Sequence, residues 1–492
     1  MAKNSEAPIR SQTNDLRKQP RGLSTLFFTE MWERFSYYGM RAILAVYIYT
    51  AATEGGLGIE QSSALSIVMI YGSVTYLTSL AGGWIGDRVL GSQRTVLVGG
   101  ALIMAGHLAL AIPAGVPALT AGLVFVAFGT GFLKPNVANV VGTLYKEDDT
   151  RRDAGFTLFL MGVNIGAFTG EIVTGFLAET FGFHWAFSAA AIGMGLGLTQ
   201  YILGRKRFGG IVHPPTNPIH RNDFKPALIK FFGGIAGVCL IVVGCTTFWG
   251  VQGLVHAVSV VALVLPFSYF IIMFRSREVT NVEKSRLWAY VALFLVTVMF
   301  WSLFEHQSSA IIAVLDQQTD RDALGFTIPV AWFLAINPLA FVIIAPIFAT
   351  LWRWLGPRQP STPIKFVYGL SFVALAFLWV SVTGWIGGGQ DMLNPIMMAT
   401  VFVIFTVGEL LISPIGVSAT TKLAPKVFRG RVLGVYYLAN SLGSAIAAQM
   451  VSFYSEERQV AYFAVIGLGA ITLASVLALF SKRIKTLMQG VL

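Results

Sequence analysis

The chain has 492 residues, of which 55% are hydrophobic and only 12% are charged. Soluble domains carry about 25% charged residues, and the mean hydropathy here is +0.68. This composition excludes an ordinary soluble protein and indicates an integral membrane protein. The formal net charge of +11 could indicate a surface that binds nucleic acid or could follow from membrane topology. The positions of the basic residues along the chain distinguish these two interpretations.

Fourteen apolar segments follow one another along the chain. Each is long enough to cross about 30 Å of hydrocarbon at about 1.5 Å per residue. The segments lie near 25–52, 62–86, 94–113, 117–143, 154–179, 184–203, 226–246, 251–274, 287–315, 327–354, 363–384, 395–421, 430–453 and 459–481. The sequence therefore predicts an all-α integral membrane protein with fourteen transmembrane helices.

Lysine and arginine concentrate in every second connection between these segments. The alternate connections hold only Arg321 and Arg458 among several carboxylates. Positively charged residues stay on the cytoplasmic side of a membrane, so a single orientation, with both termini in the cytoplasm, satisfies every connection. The basic net charge is then a consequence of topology, and we expect no nucleic-acid partner.

The start of the chain and its cysteines fit a multi-pass protein of the cell membrane. The first 21 residues are polar and basic without an apolar core, so we expect no cleaved signal peptide. Cys239 and Cys245 fall in one apolar segment, where two small buried side chains are expected rather than a disulfide framework.

The polar stretch 205–225 and the two segments after it divide the chain into six, two and six helices. We predict a six-helix bundle over residues 1–204, a basic loop with an inserted helix pair over 205–285, and a second six-helix bundle over 286–492. This is the layout of the major facilitator fold, with a substrate site near the midplane. No segment is long enough for a soluble catalytic domain, so we predict a protein that is not an enzyme.

The first segment carries four charges, Glu30, Glu33, Arg34 and Arg41. Each charge at mid-membrane costs roughly 2.5–3.5 kcal/mol, which argues against their facing lipid. Their helical spacing places them, with Tyr37, on one face. Such a stripe indicates a watery cavity or a charge-relay site; the alternative is a static ion network that fixes helix packing.

Lys134 is the only charge in its segment. A lone buried lysine needs an anion, which could be Glu30, Glu33 or the carboxylate of a substrate. The alternative, that the side chain extends to the membrane surface, is weak because Lys134 lies far from the polar end of the segment.

Two carboxylates, Glu305 and Glu409, lie within segments of the second half of the chain, whereas Arg34, Arg41 and Lys134 lie in the first. A cavity between the halves would be cationic on one wall and anionic on the other. A zwitterion of modest length would bridge these walls, with its carboxylate at Arg41 and Lys134 and its amine at Glu409. Further polar or aromatic residues could line the same cavity, although each could equally pack in the core: Tyr37, Tyr76, Asn164, Trp301 and Asn337.

Other polar residues are harder to assign. His306 borders Glu305 and could lie at the outer membrane face. Glu171 is a further buried carboxylate without an evident role, and it could simply approach the outer surface. Gly162, Gly166 and Gly170 are spaced four apart, which favours close packing of their helix on a neighbour.

The second segment ends in Gly-Gly-Trp-Ile-Gly-Asp87-Arg88 at the predicted cytoplasmic face. Asp87 could cap a helix N-terminus or pair with an arginine across the seam between the halves. We therefore predict a gating role for Asp87 and Arg88.

These residues carry a resemblance to a known family. The run Glu30-Met-Trp-Glu33-Arg34-Phe-Ser-Tyr37-Tyr38-Gly resembles the ExxERFxYYG motif of the proton-dependent oligopeptide transporters, within the major facilitator superfamily. Further runs match family signatures: Gly-Gly-Trp-Ile-Gly-Asp87-Arg88, Gly-Phe-Leu-Lys134-Pro-Asn, residues 156–168 of the fifth segment, and Gly-Glu409-Leu-Leu-Ile-Ser-Pro.

The resemblance implies symport of di- and tripeptides with protons by alternating access, in a bacterial-type protein with two inserted helices. It implies a proton gradient as the energy source without a cofactor, and a monomer as the working unit, with the oligomeric state left open. Proton coupling would involve Glu30, Glu33, Arg34 and Glu305, with Glu305 pairing with Arg41. Peptide termini would be bound by Arg41, Lys134 and Glu409, and the pocket would be lined by Tyr37, Tyr38, Tyr76, Asn164, Trp301 and Asn337.

The sequence departs from the family pattern at several positions. Residues 62–86 contain no histidine, Leu160 stands where many members have tyrosine, and Tyr436 and Tyr437 replace a Trp-Phe pair. These changes affect side-chain preference rather than the transport class.

Transport of another small solute, such as an anion or a drug, is the main alternative. A channel, a membrane enzyme or an ATP-driven pump is disfavoured because no selectivity-filter loop, HExxH motif or Gly-Lys dipeptide occurs.

Overall fold

A computed structural model describes residues 19–145, 149, 151–208, 215, 217–219, 224–323, 325–386, 392–428 and 432–491. The basic N-terminus, most of the basic loop 205–225 and the connection 387–391 lie outside the described residues. Helices dominate the rest, which confirms the predicted all-α class.

The first half of the chain forms a bundle of six helices. Their bounds are α1 Arg21–Tyr49, α2 Gln61–Ile85, α3 Ser92–Ala111, α4 Gly115–Thr143, α5 Arg152–Phe181 and α6 Phe183–Gly204. Glu60 caps α2, since its carboxylate accepts the backbone N–H groups of Ser62 and Ser63 at 3.1 and 2.8 Å. A π-helical turn, Gly86–Leu90, links α2 to α3. Helix α1 packs on α5 and α6, and α4 packs on α2 and α3.

The second half is less regular. Its helices are α7 Phe224–Arg275, α8 Asn281–Phe304, α9 Ala310–Gln318, α10 Val330–Leu334, α11 Ile336–Leu355, α12 Thr362–Ile386, α13 Pro395–Leu423, α14 Val432–Val451 and α15 Gln459–Leu487. A short antiparallel hairpin, β1 Asp322–Ala323 and β2 Phe326–Thr327, lies between α9 and α10.

Helix α7 is two helices joined at Gly250, where φ is 59° and ψ is −144°. Only glycine adopts this combination without strain. The two parts correspond to the predicted inserted pair. They pack against α2 of the first bundle and α14 of the second.

The predicted number of spans is confirmed. Among the described residues, eleven helical stretches are long and apolar enough to cross a membrane. Counting α7 as two spans and adding α1, whose charges lower its hydropathy, and α14 gives fourteen. The division of the chain after residues 204 and 285 stays a prediction.

Two of the predicted continuous segments are broken. The segment predicted near 287–315 consists of α8, a 3₁₀ turn over Glu305–Ser308 and α9. The segment predicted near 327–354 is divided at Ala335 into α10 and α11. The first break places Glu305 in a turn rather than in a helix.

The two bundles meet where α2 packs along α14 and where α5 packs on α10 and α11. Polar contacts join them at the end that carries the connections 50–60 and 319–329, which we call the sealed end. These contacts are Tyr49 Oη to Asp316 Oδ2 at 2.7 Å, Gln61 Nε2 to Gln317 Oε1 at 2.8 Å, Arg321 Nη1 to Glu179 Oε2 at 3.6 Å, and Trp332 Nε1 to the Ile172 carbonyl at 2.9 Å.

Candidate functional site

Three of the four charged residues of α1, Glu30, Glu33 and Arg34, form a compact ion cluster inside the first bundle. Arg34 Nε lies 2.9 Å from Glu30 Oε1 and 2.9 Å from Glu33 Oε2. Thr130, on α4, donates a hydrogen bond to Glu33 Oε1 at 3.4 Å. All three charged side chains are buried. Two carboxylates therefore share one guanidinium, which leaves the cluster with a net negative charge when both are ionised.

Lys134 has a different partner from those expected. Its Nζ lies 4.4 Å from the ring centre of Tyr76 and 5.6 Å from that of Tyr437. The two rings are stacked, with centroids 6.4 Å apart and planes at 19°. No carboxylate of the described residues lies within 4.0 Å of Lys134, and the two acids expected as its partners, Glu30 and Glu33, both pair with Arg34. Tyr76 is on α2 and Tyr437 on α14, so the ammonium group lies at the seam between the bundles.

Arg41 and Glu305 form an ion pair across that seam, between Nη2 and Oε2. This is the pairing that the family resemblance implies. Arg41 is 8% exposed and Glu305 is 4% exposed. The 3₁₀ turn that follows α8 brings Glu305 to α1. A buried pair of this kind holds its partners firmly, because loss of one charge leaves the other without compensation.

A cavity of about 60 Å³ adjoins this ion pair. The volume suffices for a few water molecules. It is lined by Tyr38, Arg41, Ala42, Glu171, Phe304, Glu305, Gln307, Ser308, Leu334 and Asn337. Tyr38, Arg41, Glu305 and Asn337 thus come together as the sequence predicts. Glu171, which the sequence left unassigned, lies among them.

Glu409 faces the same region through Asn337. Asn337 Nδ2 donates hydrogen bonds to Glu409 Oε2 at 3.2 Å and to Thr406 Oγ1 at 2.9 Å. Glu409 is only partly buried, and no basic residue of the described chain lies within 4.0 Å of its carboxylate. Its carboxylate is thus positioned by a neutral amide and remains available to a cation.

The remaining predicted residues lie around these groups. Tyr37 is buried, with its ring centre 5.2 Å from that of Tyr38 and 6.2 Å from that of Tyr71. Asn164 donates to the Leu160 carbonyl of its own helix at 3.1 Å. Trp301 is half-buried, and its ring packs edge-to-face against that of Phe304, with ring centres 5.3 Å apart.

The predicted gating residues Asp87 and Arg88 lie in the π-helical turn after α2. Their backbone carbonyls accept the N–H groups of Asn217 and Ile219 at 3.0 and 3.3 Å. The turn is thereby tied to the connection between the first bundle and the inserted helices.

Comparison with known proteins assigns the chain to a family. A model of the POT family matches residues 93–468. The chain belongs to the POT family. It is 43% identical over 476 residues to the transporter YclF of Bacillus subtilis (strain 168), covering 96% of each chain. It is 40% identical over 485 residues to a di-/tripeptide transporter of Lactococcus lactis subsp. cremoris, covering 96% of this chain and 97% of the other.

Solved structures agree with the POT assignment. A crystal structure of a peptide transporter POT in complex with alafosfalin superposes with a TM-score of 0.90 at 43% identity, covering 96% of each chain. The major facilitator arrangement and the predicted identity as a transporter, not an enzyme, are confirmed. The roles of individual residues stay predictions.

Sequence reasoning missed several contacts of this POT-family site. The hydrogen bond from Thr130 to Glu33 could not be predicted from the sequence, because a single threonine beside glycines is common in tightly packed helices. Tyr437 was noted only as a departure, yet it contacts Lys134 from the opposite bundle. His306 is buried, with Nδ1 2.8 Å from the Ser302 carbonyl oxygen and Nε2 2.9 Å from Tyr462 Oη, and the sequence indicated neither contact.

Proposed function

We propose that this POT-family protein is a proton-coupled symporter that imports di- and tripeptides across the cell membrane by alternating access. The observation that carries the proposal is the buried Arg41–Glu305 ion pair, which joins the two bundles beside a polar cavity. An ion pair at this place can respond to a proton and change how the bundles contact each other. The description of a 40% identical relative as a di-/tripeptide transporter supports peptides as substrates.

The peptide termini would be bound by groups from opposite walls. Lys134 contacts aromatic rings rather than a carboxylate, so its charge is available to the peptide carboxylate together with Arg41. Glu409, held by Asn337, would bind the amine. Termini and backbone are common to all short peptides, so such recognition gives broad selectivity.

Proton coupling would act through Glu305 and through the cluster of Glu30, Glu33 and Arg34. Protonation of Glu305 would remove the anion that holds Arg41 and release the guanidinium to the peptide. The cycle would not begin from a salt bridge to Lys134, because Arg34 occupies both acids of α1. Inward movement of a proton supplies about 2.3 kcal/mol per 100 mV of membrane potential.

The distribution of basic residues favours a cytoplasmic location for both termini, and the sealed end would then face outward. Asp87 and Arg88, at the opposite end of α2, would belong to the cytoplasmic gate.

Uptake by proteoliposomes tests the proposal. We expect labelled di-alanine to accumulate when an inward proton gradient is imposed and to equilibrate without accumulation when the gradient is collapsed by an ionophore. Accumulation that does not respond to the gradient would contradict proton coupling. Strong competition by nitrate or by cationic drugs, with none by dipeptides, would favour transport of another solute.

The proposed role of Glu409 gives a sharper prediction. A hydrogen bond to a charged group contributes about 1.5–3 kcal/mol, so Glu409→Gln should weaken binding of free di-alanine by about 10- to 100-fold. The N-acetylated analogue, which has no ammonium group, should lose much less. Competition assays with both peptides measure the difference, and Glu456→Gln, at an exposed carboxylate of the sealed end, is the control. Equal losses for both peptides would argue against the amine contact.

A further inference from the structure

Glu171 is a buried carboxylate that the proposed mechanism does not use. It lies on α5 and is only 4% exposed. Its Oε2 atom has no hydrogen-bond partner among the described residues. The side chain lines the same cavity as Arg41 and Glu305. A buried carboxylate without a partner for one oxygen is costly, so a proton or a cation is required nearby.

The charges around the cavity do not balance when every group is ionised. Arg41 is the only basic residue in its lining, whereas Glu171 and Glu305 are both acids. Arg41 pairs with Glu305, and its Nε has no hydrogen-bond partner in the described part of the chain. One guanidinium thus stands beside two carboxylates, and one additional proton makes the group neutral.

The surrounding elements supply no other counter-charge. Tyr38 of α1 is the remaining titratable side chain of the lining, while α8, α10 and α11 contribute Phe304, Leu334 and Asn337. Helix α6, the other neighbour of α5, has only His184 and Tyr201 as titratable residues. Their side chains bind the carbonyls of Leu110 and Gln93, respectively.

We propose that Glu171 is a second proton-binding site, which shares Arg41 with Glu305 and passes its proton to Glu305. In the state described here, Glu171 holds the proton and Arg41 pairs with Glu305. In the alternative state the O–H bond at Glu171 breaks, an O–H bond forms at Glu305, and the Glu171 carboxylate replaces Glu305 beside Arg41, whose remaining N–H groups are released to the peptide carboxylate. The guanidinium stays protonated throughout, so the group remains neutral in both states.

The position of Glu171 suits such a transfer. Glu179, eight residues further along α5, pairs with Arg321 at the sealed end. Glu171 therefore lies about 12 Å deeper along the helix axis, at 1.5 Å per residue, and is separated from the contacts of the sealed end. Gln307 and Ser308 add polar groups to the cavity, whose volume of about 60 Å³ allows a water molecule to carry the proton between the two acids. The inference rests on the proposed function, because it assigns a step in proton coupling.

The test uses the full-length protein in proteoliposomes and the variants Glu171→Gln and Glu171→Asp. Counterflow of labelled di-alanine is measured across about pH 5–8. In Glu171→Gln, Glu305 must take its proton while still paired with Arg41, which opposes protonation. We expect the pH profile of counterflow to move to lower pH by about one unit, so that the same rate requires a tenfold higher proton concentration. Glu171→Asp should retain most of the wild-type profile, and Glu54→Gln, at an exposed carboxylate of the sealed end, should match wild type.

Infrared difference spectra of the wild-type protein and both variants report protonation directly. We expect a protonated-carboxyl band that changes with pH, is lost in Glu171→Gln and is displaced in Glu171→Asp; the aspartate variant suffices if the glutamine variant does not fold. A wild-type pH profile in Glu171→Gln, or a Glu171 band that does not change with pH, would overturn the inference. Failure of wild-type protein to accumulate di-alanine under a proton gradient would instead count against the proposed function.

Discussion

Lys134 lies inside the membrane against aromatic rings, with no carboxylate of the described residues within 4.0 Å. Its ammonium group faces the rings of Tyr76 and Tyr437, and cation–π contacts stabilise a desolvated cation by about 2 kcal/mol. The rings hold the charge in place without neutralising it. In the proposed site, the peptide carboxylate would therefore meet a pre-positioned cation and would not have to displace an acid of the protein.

Substitution of Tyr437 tests this role. Tyr437→Phe keeps the ring face and should bind di-alanine nearly as well as wild type. Tyr437→Ala removes one of the two rings and should weaken binding by about 2- to 10-fold, the equivalent of roughly 0.5–1.4 kcal/mol. Competition binding in detergent measures both, with thermal stability as the control for folding. Equal losses in the two variants would show that the hydroxyl group, rather than the ring, positions Lys134.

At the level of helices, the sequence predicted which segments cross the membrane but not where they break. Hydropathy suffices for most of the spans, because a span must be predominantly apolar over its length, although the charges of α1 lower its hydropathy. The break over residues 305–309 has no such signal, since Glu-His-Gln-Ser-Ser is compatible with a helix. Tertiary contacts determine where this helix breaks, because the 3₁₀ turn brings Glu305 to Arg41 and buries His306 against Tyr462.

The glycine spacing of α5, by contrast, predicted a packing contact that the structure contains. Added side-chain atoms at Gly162, Gly166 and Gly170 would press against the backbone of α1 at Phe27, Met31 and Phe35, respectively. The two helices therefore pack in register, with one glycine at each turn. This close approach places Glu171 beside the charged face of α1.

Gly170→Ala should accordingly destabilise the protein. Overpacking costs about 1–3 kcal/mol, so we expect a lower melting temperature in detergent and a loss of gradient-driven uptake. Gly234→Ala on α7 is the matched control, because nothing lies within 4 Å of a side chain added there and alanine favours a helix by up to about 1 kcal/mol. Equal melting temperatures for the two variants would contradict the close α1–α5 contact.

For the whole molecule, the sequence predicted a cavity between the halves that is cationic on one wall and anionic on the other, and the structure shows which of these groups meet. Arg41 reaches Glu305, while Lys134 and Glu409 contact neutral side chains. Residue spacing and charge alone could not distinguish these pairings, because each depends on the relative placement of helices that are far apart in the chain, by 264 residues for Arg41 and Glu305 and by 72 for Asn337 and Glu409. The contacts of the sealed end were likewise invisible, since Tyr49, Gln61 and Gln317 lie in or beside connections without a recognisable motif.

Alternating access requires these sealed-end contacts to separate in each cycle. Gln61 and Gln317 belong to opposite bundles, and their side chains are joined at 2.8 Å. Cysteines at these two positions, with Cys239 and Cys245 replaced by serine, can be linked by a short cleavable thiol reagent. The link should reduce di-alanine uptake to the background of protein-free liposomes, because the bundles can no longer part at this end, and reductant should restore it. A cysteine pair at Glu54 and Gln61, both in the first bundle, should transport equally well with and without the link. Full transport by the linked Gln61–Gln317 pair would show that peptides enter without opening of the sealed end.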